Sequence, residues 1–257
     1  MTLSLPAHYS RTLTAVSILV SISCAGLGAT AQQTDSAPQP SPAAARPAPL
    51  RAGFLVVDGV YNTELMAPYD VFEHTRHHDP RGLGIEVFTV SQDGQEIVTA
   101  EGLRIRPDYS FATAPPIDVL VVPSAEGSRG ADLDNKPLID WVTATGNQAR
   151  YSMSLCWGAF VLAKAGLLDE RAGTTFPADY ARFAQTFPEV DLRFNVSFVH
   201  DRDRLTSQGG ARSYEVAMYL VDHLFGQDVA AGVGRGLLIE WPPSPRPAMV
   251  AETPTGR

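Results

Sequence analysis

Cys156 stands where a strand and a helix meet with no room for a loop. Tyr151-Ser152-Met153-Ser154-Leu155 reads as a strand, Trp157 to Ala165 as a helix closed by Gly166, and the thiol falls at the join. A reversal of this kind turns a side chain out of the carboxyl edge of a sheet. The first helical turn there offers unpaired N–H groups and a positive dipole end, so the thiolate is expected to be favoured. Gly158 removes a side chain that would crowd the turn. A lone cysteine is more often a small buried hydrophobe. Export, argued below, weighs against that reading, because an unpaired thiol outside the cytoplasm is open to oxidation and should have a use.

Other side chains able to do chemistry have plainer readings. His74, His77 and His78 are spaced to share one helix surface, which suits a two-histidine metal patch. Arg76 lies among them and Asp79 is the only carboxylate nearby, so a solvated helix end is expected and no metal is assigned. His200, at a strand end before Asp201-Arg202-Asp203, and His223, on a helix face, are read as surface histidines. Asn195-Val196-Ser197 fits a glycosylation acceptor but lies within a predicted strand, and no role is given to it.

The elements that must position Cys156 follow from hydrophobic pattern. Phe54-Leu55-Val56-Val57 and Asp118-Val119-Leu120-Val121-Val122-Pro123 are short continuous apolar runs, as expected of strands buried on both faces. Ile85 to Val90, Tyr151 to Leu155 and Arg193 to Val199 read as further strands. Helical patterns cover Glu64 to His78, Pro137 to Ala149, Trp157 to Ala165, Ala178 to Thr186 and Ser213 to Phe225, the last with one apolar stripe of Val216, Ala217, Leu220, Val221 and Leu224. Alternating strands and helices predict an α/β sandwich with a mostly parallel central sheet, whose ligands bind at the carboxyl ends of the strands.

The chain has 257 residues, 44% apolar and 19% charged, a globular composition. Twenty Lys+Arg against 28 Asp+Glu leave a net charge of −8, and no basic cluster offsets it, so nucleic acid is not expected as a partner. Two cysteines, Cys24 and Cys156, exclude a disulfide framework and a four-cysteine zinc site. Residues 1–31 lack acidic side chains and run from His8 and Arg11 through an apolar stretch to Ala29-Thr30-Ala31, the pattern of a secretory signal peptide cleaved after Ala31. The expected location is periplasmic or secreted. A retained membrane anchor and lipidation at Cys24 are the alternatives, the latter weakened by Ser21 where an aliphatic residue is expected. Residues 32–50, rich in Pro, Ala, Ser and Gln, read as a disordered linker, 51–241 as one folded domain and 242–257 as a flexible tail.

Three stretches carry a resemblance to a known group. Cys156-Trp157-Gly158-Ala159-Phe160 through Asp169, followed by Arg171-Ala172-Gly173-Thr174-Thr175, is similar to the elbow region of the ThiJ/PfpI family. The branch it most resembles contains isonitrile hydratases and the amidase-like domains of arabinose-type regulators. Asp58-Gly59-Val60 with Glu64 to Phe72 resembles the family's first loop and helix, and Leu205 to Ala211 its late strand before the final helices. The resemblance implies a three-layer sandwich, flavodoxin-like and amidotransferase-like, and a homodimer. It also implies that Glu64 lies beside Cys156; to help, the acid must stay protonated and donate a hydrogen bond to sulfur. Read without it, Glu64 is a helix N-terminal acid.

Departures from the family pattern narrow the chemistry. Trp157 follows the cysteine where relatives carry Thr or His, and Phe176 stands where many place a His, so neither position supplies a base. Ser124-Ala125-Glu126-Gly127 replaces paired glycines whose N–H groups build an oxyanion hole, and Ser124 and Ala125 would be strained there if the loop needs positive φ. Trp157 and Phe176 make the pocket smaller and more apolar, suited to a compact uncharged ligand. No Cys-His-Glu triad is available, which argues against proteolysis and amidotransfer. The expected catalytic residues are Cys156 and Glu64, with Trp157, Ser124, Ala125 and Phe176 around the substrate, and no cofactor. The expected function is hydration or hydrolysis of a small electrophile, the alternative a non-catalytic sensor of small molecules or redox state. An arabinose-type regulator would need a helix-turn-helix appendage of ~100 residues, whereas only Pro-rich sequence follows Trp241.

Overall fold

Successive residues of the strand Val119–Val122 point to opposite faces and all are fully buried, Val119 and Val121 in one core and Leu120 and Val122 in the other. That division is the plan of the domain. The computed structural model describes residues 48–243 and the backbone of 249–252, so the expected leader, with Cys24, and almost all of the spacer lie outside the described residues.

In chain order the elements are β1 (Leu50–Leu55), α1 (Asn62–His74), β2 (Ile85–Ser91), β3 (Ile97–Val98), β4 (Arg104–Ile105), β5 (Tyr109–Ser110), β6 (Val119–Val122), α2 (Ala131–Asp134), α3 (Lys136–Gln148), β7 (Tyr151–Leu155), α4 (Gly158–Lys164), β8 (Ala172–Gly173), α5 (Tyr180–Thr186), β9 (Asp191–Leu192), β10 (Phe198–Asp201), β11 (Arg204–Ser207), α6 (Arg212–Phe225), α7 (Gln227–Leu237) and β12 (Met249–Glu252). The main sheet runs β12-β10-β11-β7-β6-β1-β2-β5, and every neighbouring pair is parallel except β10 with β11. Helices α1, α6 and α7 cover one face around Phe54, Phe72, Val216 and Leu220; α3 and α4 cover the other around Leu120, Leu138, Val142 and Phe160. The α/β sandwich read from the sequence is the observed fold.

Several boundaries and placements differ from expectation. Strand β1 begins at Leu50, inside the expected linker. Arg193 to Val199 is not one strand: Asn195 takes φ +57° in an exposed connection, and β10 starts only at Phe198. Alternation of polar and apolar residues misled there because the left-handed residue breaks the pleat. The expected tail contributes β12, which pairs parallel with β10. His200 is buried, not on the surface: its Nδ1 pairs with the Tyr219 hydroxyl at 2.9 Å and its Nε2 with the Arg202 carbonyl at 2.8 Å. His223 is exposed, 3.1 Å from the Tyr151 hydroxyl through Nε2. His78 leans on α7, where a Cβ at Gly232 would come within 2.7 Å of its ring, so the solvated histidine end is partly a helix contact.

The join between β7 and α4 is set by one close approach. A Cβ added at Gly158 would lie 2.0 Å from the Val122 carbonyl oxygen at the end of β6, a backbone atom that cannot swing aside. On helix propensity alone, Gly→Ala would stabilise by up to about 1 kcal/mol. Here the clash decides the sign. Gly158→Ala is expected to destabilise the domain by about 1–3 kcal/mol, read as a lower urea midpoint; a midpoint at or above that of the natural chain would refute the close-packing account.

Candidate active site

Four loops at the carboxyl ends of the parallel strands β1, β6, β7 and β11 meet at Cys156. The cysteine follows Leu155 directly and adopts φ +55°, a conformation that costs a non-glycine residue on the order of 1–2 kcal/mol. Its own backbone bonds hold it there: the N–H donates to the Ser207 carbonyl at 2.9 Å, and the carbonyl accepts from the Thr175 hydroxyl at 2.9 Å. Gly209 closes the other side, with φ +83° and space for a Cβ only 2.3 Å from that of Cys156.

The acid expected beside the thiol lies near it, but acts there through its charge and not as the expected hydrogen-bond donor to sulfur. Glu64 stands in the first turn of α1, 8% exposed, its Oε1 accepting the Gly210 N–H at 3.0 Å and its charge acting on Cys156. Ser124 is fully buried, and its hydroxyl has no well-formed hydrogen bond elsewhere; it lies close enough to sulfur to favour the thiolate. The β1 and β6 loops are joined by the Tyr61 N–H, which donates to the Ser124 carbonyl at 2.9 Å, and by the bridge between Val60 and Ala125. Ala125 has φ −135°, so the strain considered for this loop is absent there. Its N–H donates to the Ser128 hydroxyl at 2.9 Å and is therefore not offered to an oxyanion. The backbone N–H that reaches the sulfur is that of Trp157.

Trp157 is locked by groups that lie outside every motif read above. Its indole N–H donates to Asp179 Oδ2 at 2.8 Å, and Arg129 Nη1 donates to Asp179 Oδ1 at 2.8 Å. The Arg129 guanidinium lies 3.5 Å over the indole, while Tyr61 and Phe176 meet it edge-on at 5.6 and 6.3 Å between ring centres. Phe176 is 40% exposed and Asp179 is buried. The surroundings of the elbow are therefore aromatic and charged, a correction to the apolar pocket inferred from Trp157 and Phe176. Residues 61, 129 and 179 lie on separate connections; the Pro177-Ala178-Asp179 turn was the one local signal, an acid after a helix-starting proline.

Burial overturns the expected thiolate. The Cys156 thiol is pushed up to about 12, first by burial and then by the charges of Glu64 and Asp179, and the Ser124 hydroxyl and Trp157 N–H pull the other way without prevailing. Helix α4 has only seven residues, too short a dipole to outweigh the loss of solvent. Tyr61 is likewise raised, by burial first and then by Glu126 and Cys156, so its hydroxyl keeps its proton and can donate. The resting site holds a protonated thiol, and a nucleophile must be made by moving that proton.

Residues 50–223 match the DJ-1/PfpI family. Over 196 residues the chain is 30% identical to the isonitrile hydratase of Pseudomonas putida, covering 76% of this chain and 80% of that one. It is 26% identical to the HTH-type transcriptional regulator GbdR of Pseudomonas aeruginosa over 75% of its own length, and spans about half (51%) of that regulator. Among solved structures, a ThiJ/PfpI family protein from Pseudomonas syringae superposes with a TM-score of 0.67 at 21% identity, covering 82% of this chain and 84% of the other.

Two measurements follow from the raised thiol. An acid whose folded pKa lies above its unfolded value contributes stability that is intact below the unfolded value, near 9, and is lost as pH rises through about 12. The natural chain should therefore lose more stability between pH 9 and 12 than Cys156→Ala; parallel losses would contradict the assignment. Glu64→Gln should lower the thiol pKa and speed iodoacetamide alkylation at fixed pH, since the charge of Glu64 is one cause of the rise. An unchanged rate profile would mean that Glu64 is uncharged beside the thiol.

Proposed function

The chain belongs to the DJ-1/PfpI family, and on that premise we propose that it is a cysteine-dependent hydratase or hydrolase acting on a small electrophilic molecule. Cys156 is the nucleophile and Glu64 takes and returns its proton. The observation that carries this reading is a strained, turned-out cysteine paired with a buried acid that, among the described residues, has no cationic partner. Burying such a group without a counter-charge costs stability, and groups kept at that cost cluster at functional sites. The isonitrile hydratase relative supports the reaction class.

The chemistry follows from the protonated resting thiol. As sulfur bonds to the electrophilic carbon, the S–H proton passes to Glu64, which delivers it to the substrate. Water then adds to the same carbon and breaks the C–S bond, and a proton returns through Glu64 to the departing sulfur. With an amide, the proton Glu64 delivers goes to nitrogen, the C–N bond breaks and the amine leaves before water enters; with a C–N multiple bond nothing leaves, and in both cases the net reaction takes up one water. The Trp157 N–H on sulfur eases the charge that develops during proton transfer. We place the protein outside the cytoplasm as a homodimer acting on a small molecule, the net charge of −8 opposing a nucleic-acid partner.

A second reading is a redox or small-molecule sensor. It is favoured by the Ala125 N–H being engaged and by Trp157 offering no hydroxyl beside the thiol. The full chain incubated with isonitriles, small amides and 2-oxoaldehydes should turn over at least one class, with activity lost in Cys156→Ser and lowered ~10²–10⁴-fold in Glu64→Gln. No turnover, together with a reversible sulfenic acid on Cys156 after mild peroxide, would replace the enzyme by the sensor.

A further inference from the structure

Both carboxylate oxygens of Asp179 are engaged, Oδ1 by Arg129 and Oδ2 by the Trp157 indole, and the residue is buried between them. Resting on the reading of Cys156 as the reactive group, we infer that Asp179 sets the charge class of molecule admitted to the sulfur. It neutralises Arg129 and pins Trp157, so that uncharged electrophiles are taken in preference to anions.

The placement of charge supports this. Arg129 lies flat on the ring of the residue that follows Cys156, with its Nε buried and without an acceptor. Its backbone carbonyl is held by the Arg182 guanidinium, so the turn that carries it is fixed from both ends. Arg129 faces the Trp157 indole that Tyr61 meets edge-on, and Arg129, Glu64, Glu126 and Cys156 all act on the Tyr61 hydroxyl, so they are neighbours around it. Two of these neighbours are carboxyl groups, and the charge of the one cation is already balanced by Asp179. An entering carboxylate meets no net positive charge there, whereas a neutral molecule loses nothing. Asp179 is thus a positioning residue for Trp157 and a specificity determinant through Arg129.

The two roles separate by substitution. Asp179→Asn keeps an acceptor for the indole N–H but removes the carboxylate paired with Arg129, so the charge beside the thiol becomes one unit more positive. Arg129→Gln makes it one unit more negative.

The test uses the full chain and two reagents of nearly equal size, neutral iodoacetamide and anionic iodoacetate, with alkylation read at the Cys156 peptide by mass spectrometry. The ratio of their rate constants on one protein cancels the thiolate fraction, and it is readable whether or not any substrate is turned over. Asp179→Asn should raise the iodoacetate-to-iodoacetamide ratio by at least ~5-fold. Arg129→Gln should lower it below that of the natural chain, and the double variant should return it. A ratio in Asp179→Asn within twofold of the natural one, or a double variant that fails to restore it, overturns the proposal. If Asp179→Asn does not fold, the fall in Arg129→Gln and its reversal in the double variant decide the matter.

Discussion

The contact between the first turn of α4 and the last carbonyl of β6 governs the rest of the site. Because Gly158 has no side chain, the helix starts against the sheet's carboxyl edge with no intervening loop, and Cys156 must absorb the whole reversal in one residue with φ +55°. That strain is held by bonds from β11 and from the segment after β8, and by Gly209, which leaves no room on the opposite side. The same crowding that fixes the sulfur also removes water from it, so geometry that presents a nucleophile simultaneously suppresses its ionisation. In the mechanism proposed above, Glu64 is the group that reconciles a reactive thiol with a buried one.

Much of this was legible in the residues alone. Strand β7, residues 151–155, was read to the residue and α4 to within one residue at each end, because a strand-length segment and a glycine-closed helix abut with only Cys156 between them. The two-sided burial of β6 followed from four consecutive apolar residues. Where reading failed, a long-range contact had replaced a local rule. His200 looked like a strand-end surface residue, yet Tyr219 from α6 closes over it. Asn195 broke a plausible strand by a backbone conformation that its neighbours do not announce. The expected thiolate rested on a dipole argument that ignored how deeply the elbow sits.

Family resemblance was needed to bring Glu64 to Cys156, 92 positions apart, since no spacing argument joins them. Apart from the proline-led turn before Asp179, neither pattern nor resemblance pointed to Asp179, Arg129 or Tyr61. These residues matter because the Trp157 indole, with its one N–H, is bound by a carboxylate, which in turn binds a guanidinium. The residue beside Cys156 thus carries an electrostatic shell of its own.

The margins of the sheet have a consequence for solubility. One border is β12, four residues long, and the other is β5, only two. At Thr89 of β2, the Asp108 carboxylate accepts both the backbone N–H and the hydroxyl, and the Asp108 N–H donates to the Thr89 carbonyl. A negative side chain therefore occupies backbone groups that would otherwise template pairing with another molecule's strand. The domain carries its own guard against edge-to-edge aggregation.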